Sequence, residues 1–158
     1  EYILEDLEKI YAKEEQCVVF SFWLDPLRLL KKEIDIIYGK DAAIIYSGEL
    51  DKSEREKVLN NFKSTNSFVL LCSGKVGGEG INLTNANHTI FFNRWWNPSN
   101  NNQAQDRIHR LGQEKESFTH IPITMNTIED KISEILRNKR EITKTVIEKI
   151  VRTNIEYG

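Results

Sequence analysis

Four short, almost unbroken apolar runs and a fifth mixed with polar residues, separated by stretches of helical periodicity, restrict this chain to one broad architecture. The runs are Cys17–Phe22, Ala42–Tyr46, Phe68–Cys72, Thr89–Phe92 and Phe118–Ile123. A strand covered on one face alternates apolar and polar residues, whereas a continuous run marks a strand covered on both. Strands that alternate with helices need crossover connections. The expected α/β fold is therefore a mostly parallel sheet sandwiched between helices. Pro122 places the fifth run near a sheet edge, because proline cannot donate to an inner ladder.

The intervening stretches supply the helices. Residues 3–11 read as an amphipathic lead-in helix. Leu27, Leu29, Leu30, Ile34 and Ile37 recur at helical spacing, with Pro26 suited to a first turn and Gly39 to a stop. Asp51 or Ser53 can cap a helix that runs through Phe62 and keeps Val58, Leu59 and Phe62 on one side. From Thr127 onward, Ile128, Ile132, Ile135, Leu136, Ile142, Val146 and Ile150 trace a stripe about every 3.6 residues. Thr127 with Asp130 resembles a capping box. The other face of this tail is polar, so it is expected to lie across the sheet domain or against a neighbouring one.

With 158 residues, 39% hydrophobic and 29% charged, the chain has the size and composition of one globular domain. A net charge of −2 excludes a generally basic nucleic-acid binder but leaves room for a local basic strip. Cys17 and Cys72 both lie in strand-like runs without metal spacing, which favours a reducing, intracellular setting. No apolar run approaches membrane length and no secretory signal is visible, so no membrane partner is expected. The chain begins Glu-Tyr-Ile rather than with Met, and reads as an excised piece of something larger.

Three segments carry unusual chemistry. In Gln103-Ala-Gln-Asp-Arg107-Ile-His-Arg110-Leu-Gly-Gln113, a helix would set Gln103, Arg107 and Arg110 at i, i+4 and i+7 on one face. Ala104, Ile108 and Leu111 would form its docking side. Two arginines a turn apart make a fork for an anion such as a triphosphate. The same pattern also fits a solvated charged helix, with Asp106 and Glu114 neutralising the arginines. The loop Ser73-Gly74-Lys75-Val76-Gly77-Gly78-Glu79-Gly80-Ile81-Asn82-Leu83 has four glycines in seven residues. That density lets backbone amides approach a phosphate, and Lys75 adds charge; a tight turn without ligand is the alternative. In Asn93-Arg94-Trp95-Trp96-Asn97-Pro98, Trp95 suits the core and Trp96 an exposed wedge for stacking or groove contact.

One negative weighs heavily. Neither Gly39-Lys40-Asp41 nor Gly74-Lys75-Val76 supplies the Gly-Lys-Ser/Thr of a P-loop, and Leu83 stands where a dinucleotide fingerprint needs its third glycine. No loop here holds a triphosphate and its magnesium alone.

Together, Cys17–Phe22, Tyr46-Ser-Gly-Glu-Leu50, Gly77-Gly-Glu-Gly-Ile-Asn-Leu-Thr84, Arg94-Trp-Trp-Asn-Pro98 and the segment from Gln103 to Gln113 occur in a telling order. They resemble the second RecA-like lobe of superfamily 2 helicase-type ATPases, and most closely the SWI/SNF-type translocases of double-stranded DNA. The resemblance covers roughly residues 15 to 140. It implies a lead-in helix over 1–14, a RecA-like lobe over 15–125 and bracing helices over 126–158.

It further implies that Arg107 and Arg110 are arginine fingers reaching the phosphates of ATP across an interlobe cleft. Gln103, Asn82 and Gly80 would sit near that nucleotide. Ser47, Gly48, Ser73, Lys75 and Trp96 would meet double-stranded DNA. ATP with Mg²⁺ would be held mainly by a first RecA-like lobe of the same polypeptide, in the nucleus of a eukaryote or the cytoplasm of a bacterium or virus. The chain departs from the family at Gly74-Lys75-Val76, where Thr-Arg-Ala is usual, and at Glu79, where an apolar residue or Gln is common. An enzyme acting on RNA or single strands, a non-catalytic binding module and a dinucleotide-dependent oxidoreductase are the competing readings.

Overall fold

The computed structural model describes residues 2–64, 67–74, 81–93, 98–108 and 110–122, together with isolated helical positions at Glu134, Arg137, Asn138 and Glu141. The apolar stripe after Thr127 and the capping box at Thr127 lie outside the described residues. Chain contacts divide the protein into two compact units. The first comprises residues 1–95 and 99–122, and the second residues 96–98 and 123–158.

Within the first unit, α1 (Tyr2–Ala12) leads into β1 (Cys17–Ser21), α2 (Leu24–Tyr38), β2 (Ala43–Tyr46) and α3 (Lys52–Lys63). Then come β3 (Val69–Ser73), β4 (His88–Phe91), α4 (Pro98–Gln105) and β5 (Phe118–His120). The five strands form one sheet in the order β2-β3-β1-β4-β5, and every pairing is parallel. All five expected strands are present; the fifth, expected over Phe118–Ile123, ends at His120, two positions before Pro122, and is at the edge.

Period-two alternation sends each strand's side chains to two separate cores. Cys17 and Val19 of β1 pack with Leu7, Ile10, Leu27, Leu30 and Ile34 of α1 and α2. Val18 and Phe20 pack on the other face with Phe62, Leu83, Ala104 and Ile108. The sheet is thus a middle layer between two helical ones. In α2 the stripe is narrower than its sequence implies, because Leu29 and Ile37 are 65% and 54% exposed. Leu29 lies opposite the line through Leu27, Leu30 and Ile34, and Ile37 flanks it. At α3 the cap is Asp51, in a reciprocal capping box with Glu54, worth about 1 kcal/mol.

A line of ionisable groups runs from Glu15, before β1, through His88 at the start of β4 and His120 at the close of β5, to Asp6 of α1. His88 Nε2 is 2.6 Å from Glu15 Oε2, and His88 Nδ1 is 3.0 Å from His120 Nε2. His120 Nδ1 in turn lies 3.3 Å from Asp6 Oδ2. Asn87 Nδ2 donates to the other oxygen of Glu15 at 2.9 Å, and the His88 ring stacks on Phe118. The line joins α1, the turn before β1, β4 and β5. The His88 contact holds the Glu15 carboxyl below its ordinary range. Burial outweighs the attraction of Asp6 and lowers His120.

Both shifts have the same sign for stability. A group whose folded pKa is depressed contributes fully above its unfolded value and loses that contribution as pH falls towards the folded one. The chain's melting temperature is therefore expected to drop on acidification below the ordinary imidazole value of 6.5, and again below 4.5. His120→Gln should flatten the first drop. An unchanged slope in that variant between about pH 7 and about pH 5.5 would show that His120 is not its source.

Candidate nucleotide and nucleic-acid site

In a parallel sheet the loops leaving the strands' carboxyl ends gather along one edge, where ligands of such folds bind. Here a single residue ties three of these loops together, through its hydroxyl and its carbonyl. Ser21, the last residue of the central strand β1, is fully buried. Its Oγ donates to Asn93 Oδ1 at 2.8 Å and accepts from the Trp23 amide at 3.2 Å. Its carbonyl accepts from the Gly74 amide at 3.0 Å, with Gly74 at φ +77°. Neither Ser21 nor Asn93 was singled out from the sequence. A lone hydroxyl in an apolar run was the available signal.

Of the residues expected to meet DNA, Ser47, Gly48 and Ser73 lie along this edge. Ser47 is buried directly after β2, while Gly48 is exposed and its carbonyl accepts from Arg55 Nη2 at 3.1 Å. Ser73 closes β3 and is half-buried. Arg28 bridges Asp25 and Glu49 beside the Gly48 turn, at 3.2 and 3.0 Å. All three are well exposed, so this network adds little stability. Lys75, Gly80 and Trp96 lie outside the described residues, as does Trp95.

The arginine segment differs from its sequence expectation. Helix α4 ends at Gln105, and residues 106–108 turn instead of continuing to Gln113. Arg107 and Arg110 therefore do not share a helical face with Gln103. The reason lies in the carbonyls. Arg107 O accepts from the Leu83 amide at 3.0 Å, and Ile108 O from Gln113 Nε2 at 3.4 Å. Gly112, at φ +103°, then reverses the chain. Ala104 and Ile108 do dock in the core, but Leu111 is 97% exposed and docks on nothing in its own unit. Gln103 and Arg110 are exposed, and Arg107 is half-buried.

The Leu83–Arg107 bond brings the end of the glycine-rich loop against the arginine segment. Asn82, exposed, accepts the Thr84 amide at 3.1 Å through Oδ1. Gln113 Nε2 also reaches Ala86 O at 2.7 Å, and Gln105 Nε2 donates to Thr119 Oγ1 at 2.9 Å. Among the described residues no cluster of three or more His, Cys, Asp or Glu side chains is arranged to hold a metal.

Comparison with known proteins places these features. Residues 2–112 match the model of the helicase conserved C-terminal domain. The putative ATP-dependent helicase/translocase YwqA of Bacillus subtilis is 36% identical over 148 residues, which is 94% of this chain and 16% of that protein. DNA repair protein RAD5 of Saccharomyces cerevisiae is 40% identical over 133 residues, 81% of this chain and 11% of that protein. The chain thus spans only a small part of the curated relatives it matches. Among solved structures, the Sulfolobus solfataricus SWI2/SNF2 ATPase core in complex with dsDNA superposes with a TM-score of 0.76 at 32% identity. That match covers 92% of this chain and 30% of the other. The C-terminal part of the Fun30 ATPase domain superposes at 0.77, also at 32% identity, covering 84% and 43%.

The reversal at Gly112 generates a test. A Cβ there meets nothing within 4 Å, so Gly112→Ala is strained by its backbone alone. Urea unfolding is expected to show a loss of about 1–2 kcal/mol. An unchanged midpoint would mean that the turn relaxes without cost.

Proposed function

We infer what this chain does from the family it belongs to: it is a helicase conserved C-terminal domain, the second RecA-like lobe of a SWI/SNF-type superfamily 2 ATPase. We propose that it completes an ATP site whose P-loop belongs to a first lobe, and grips one strand of double-stranded DNA. The bounds proposed are 1–14 for the lead-in helix, 15–125 for the lobe and 126–158 for a helical brace. The observation that carries the reading is the setting of Arg110. It is exposed on a turn fixed from behind, and among the described residues it pairs with no carboxylate of its own domain.

In this proposal Arg107 and Arg110 point their guanidiniums at the β/γ-phosphates when the lobes close. A finger arginine of this kind raises phosphoryl transfer by about 10³–10⁵-fold, because it meets charge that develops in the transition state. Asn82 and Gly80 lie by the nucleotide's sugar side, and Gln103 lines the cleft. An exposed Arg110 beside a half-buried Arg107 fits a triphosphate, and since the sequence has no Gly-Lys-Ser/Thr loop, Mg²⁺ and most of the nucleotide's grip are proposed to belong to the first lobe. Bound Mg²⁺ supplies charge neutralisation there. The lobe alone is therefore proposed to be inactive as an ATPase.

The strip of Ser47, Gly48, Ser73, Lys75 and Trp96 is proposed to follow a DNA backbone. The duplex in the superposed Sulfolobus solfataricus complex supports double-stranded DNA as the track. Contacts to phosphate carry little sequence information and weaken steeply with salt. Opening and closing of the cleft would then move the grip along the duplex.

In a parent polypeptide carrying both lobes, Arg110→Ala is expected to cut ATP turnover by about 10³-fold or more while duplex binding, followed by fluorescence anisotropy, stays within about twofold. Near-normal turnover would overturn the finger assignment. Lys75→Ala should weaken duplex binding about equally across sequences and reduce its salt slope by roughly one. An unchanged slope would remove Lys75 from the strip.

A further inference from the structure

Beyond Ile108, which is buried in the core, the described residues Arg110 to Gly112 bury no apolar side chain. Leu111 is 97% exposed, Arg110 and Gly112 are exposed, and α4 has already ended at Gln105. A protruding loop of this kind would sample many conformations unless polar contacts held its ends. Gln113 makes four such contacts. Its Nε2 donates to Ala86 O at 2.7 Å and to Ile108 O at 3.4 Å. Its Oε1 accepts from the Lys115 amide at 3.0 Å, and its own amide donates to Arg110 O at 3.0 Å. One side chain therefore joins the residue before the loop to the residue after it, and fastens both to the turn at Leu83–Ala86. Leu83 and Ala86 are fully buried, so the clip is anchored in the sheet's core.

We propose that Gln113 is a positioning residue: its carboxamide holds the 109–112 loop so that Arg110 is already placed for the phosphate before the cleft closes. The inference rests on the finger reading of Arg110 and adds to it the group that sets the finger's geometry. The chemistry requires a carboxamide. Two carbonyl oxygens face Nε2 and need a donor, while the Lys115 amide faces Oε1 and needs an acceptor. Glutamate in its ionised form presents oxygen to both carbonyls, and methionine presents no donor at all. Asparagine keeps both functions but is one methylene too short to span the loop.

Two measurements test this. On the chain itself, hydrogen exchange of the peptide covering 109–112 is expected to speed up by about tenfold or more in Gln113→Met, while peptides from β1 and β3 stay unchanged. In the two-lobed parent, Gln113→Met and Gln113→Glu are expected to lower kcat by about 10²-fold with little change in KM for ATP, the signature of a displaced transition-state contact. Gln113→Glu should recover part of its kcat as pH is lowered towards the carboxyl's pKa, where the protonated oxygen can donate again; Gln113→Met should not. Arg110→Ala is run alongside. If that variant turns over normally, the finger reading itself fails, and this inference with it. If Arg110→Ala is dead while both Gln113 variants turn over normally, the finger stands and the positioning role is overturned. Unchanged exchange at 109–112, or a kcat loss matched by exchange rising throughout the sheet, overturns it as well.

Discussion

A parallel sheet covered on both faces cannot place polar chemistry along the middle of its strands. Every buried polar group there would need a partner, and the strand's own amides and carbonyls already use the available ones. In this chain β1 and the first four residues of β3 are fully buried. The groups able to do chemistry are therefore displaced to the two ends. At the amino ends of β1 and β4 sit Glu15 and His88, linked to His120 at the close of β5 and through it to Asp6 of α1. At the carboxyl ends sit the hydroxyls of Ser21, Ser47 and Ser73, the Asn93 amide and the Gly74 turn. The first set secures helix and edge strand to the sheet; the second faces whatever the lobe binds.

How much of this could be read from the sequence follows from the same constraint. Double-sided burial writes continuous apolar runs, so β1 to β4 were legible, while β5, partly exposed, was marked by its flanking pattern and its edge position by Pro122. Local chemistry was legible too, as with Asp51 capping α3 and Gly39 ending α2. What escaped depends on register and on long-range carbonyl partners. His88 meets His120 only because β4 lies beside β5, thirty-two positions apart in sequence. Helix α4 gives way to a tighter turn, in which the Arg107 and Ile108 amides bond three residues back, and the Arg107 carbonyl is taken by the distant Leu83 amide. Helical periodicity through Leu111 gave no hint of that, and Leu111 ends exposed.

At the candidate site the motifs named the residues but not their arrangement. Gln103, Arg107 and Arg110 were expected on one face and are instead divided between a helix and a turn. Asn82 and Arg107, remote in sequence, become neighbours through the Leu83–Arg107 hydrogen bond. That bond ties the residue that ends the glycine-rich loop to the backbone of the arginine segment. Ser21 has a comparable place on the other side of the edge, because its hydroxyl and carbonyl join the exits of β1, β3 and β4. Loops anchored to one another in this way move as a group, which suits a lobe proposed to grip and release.

The outermost strands have a consequence for how the protein behaves in solution. β2 has four residues and β5 only three, and Pro122 follows two positions after β5. Each border thus offers too few unpaired backbone groups to recruit a strand from another molecule, and proline removes one donor from the site where recruitment would continue. Short margins of this kind guard a sheet against stacking edge to edge into insoluble assemblies.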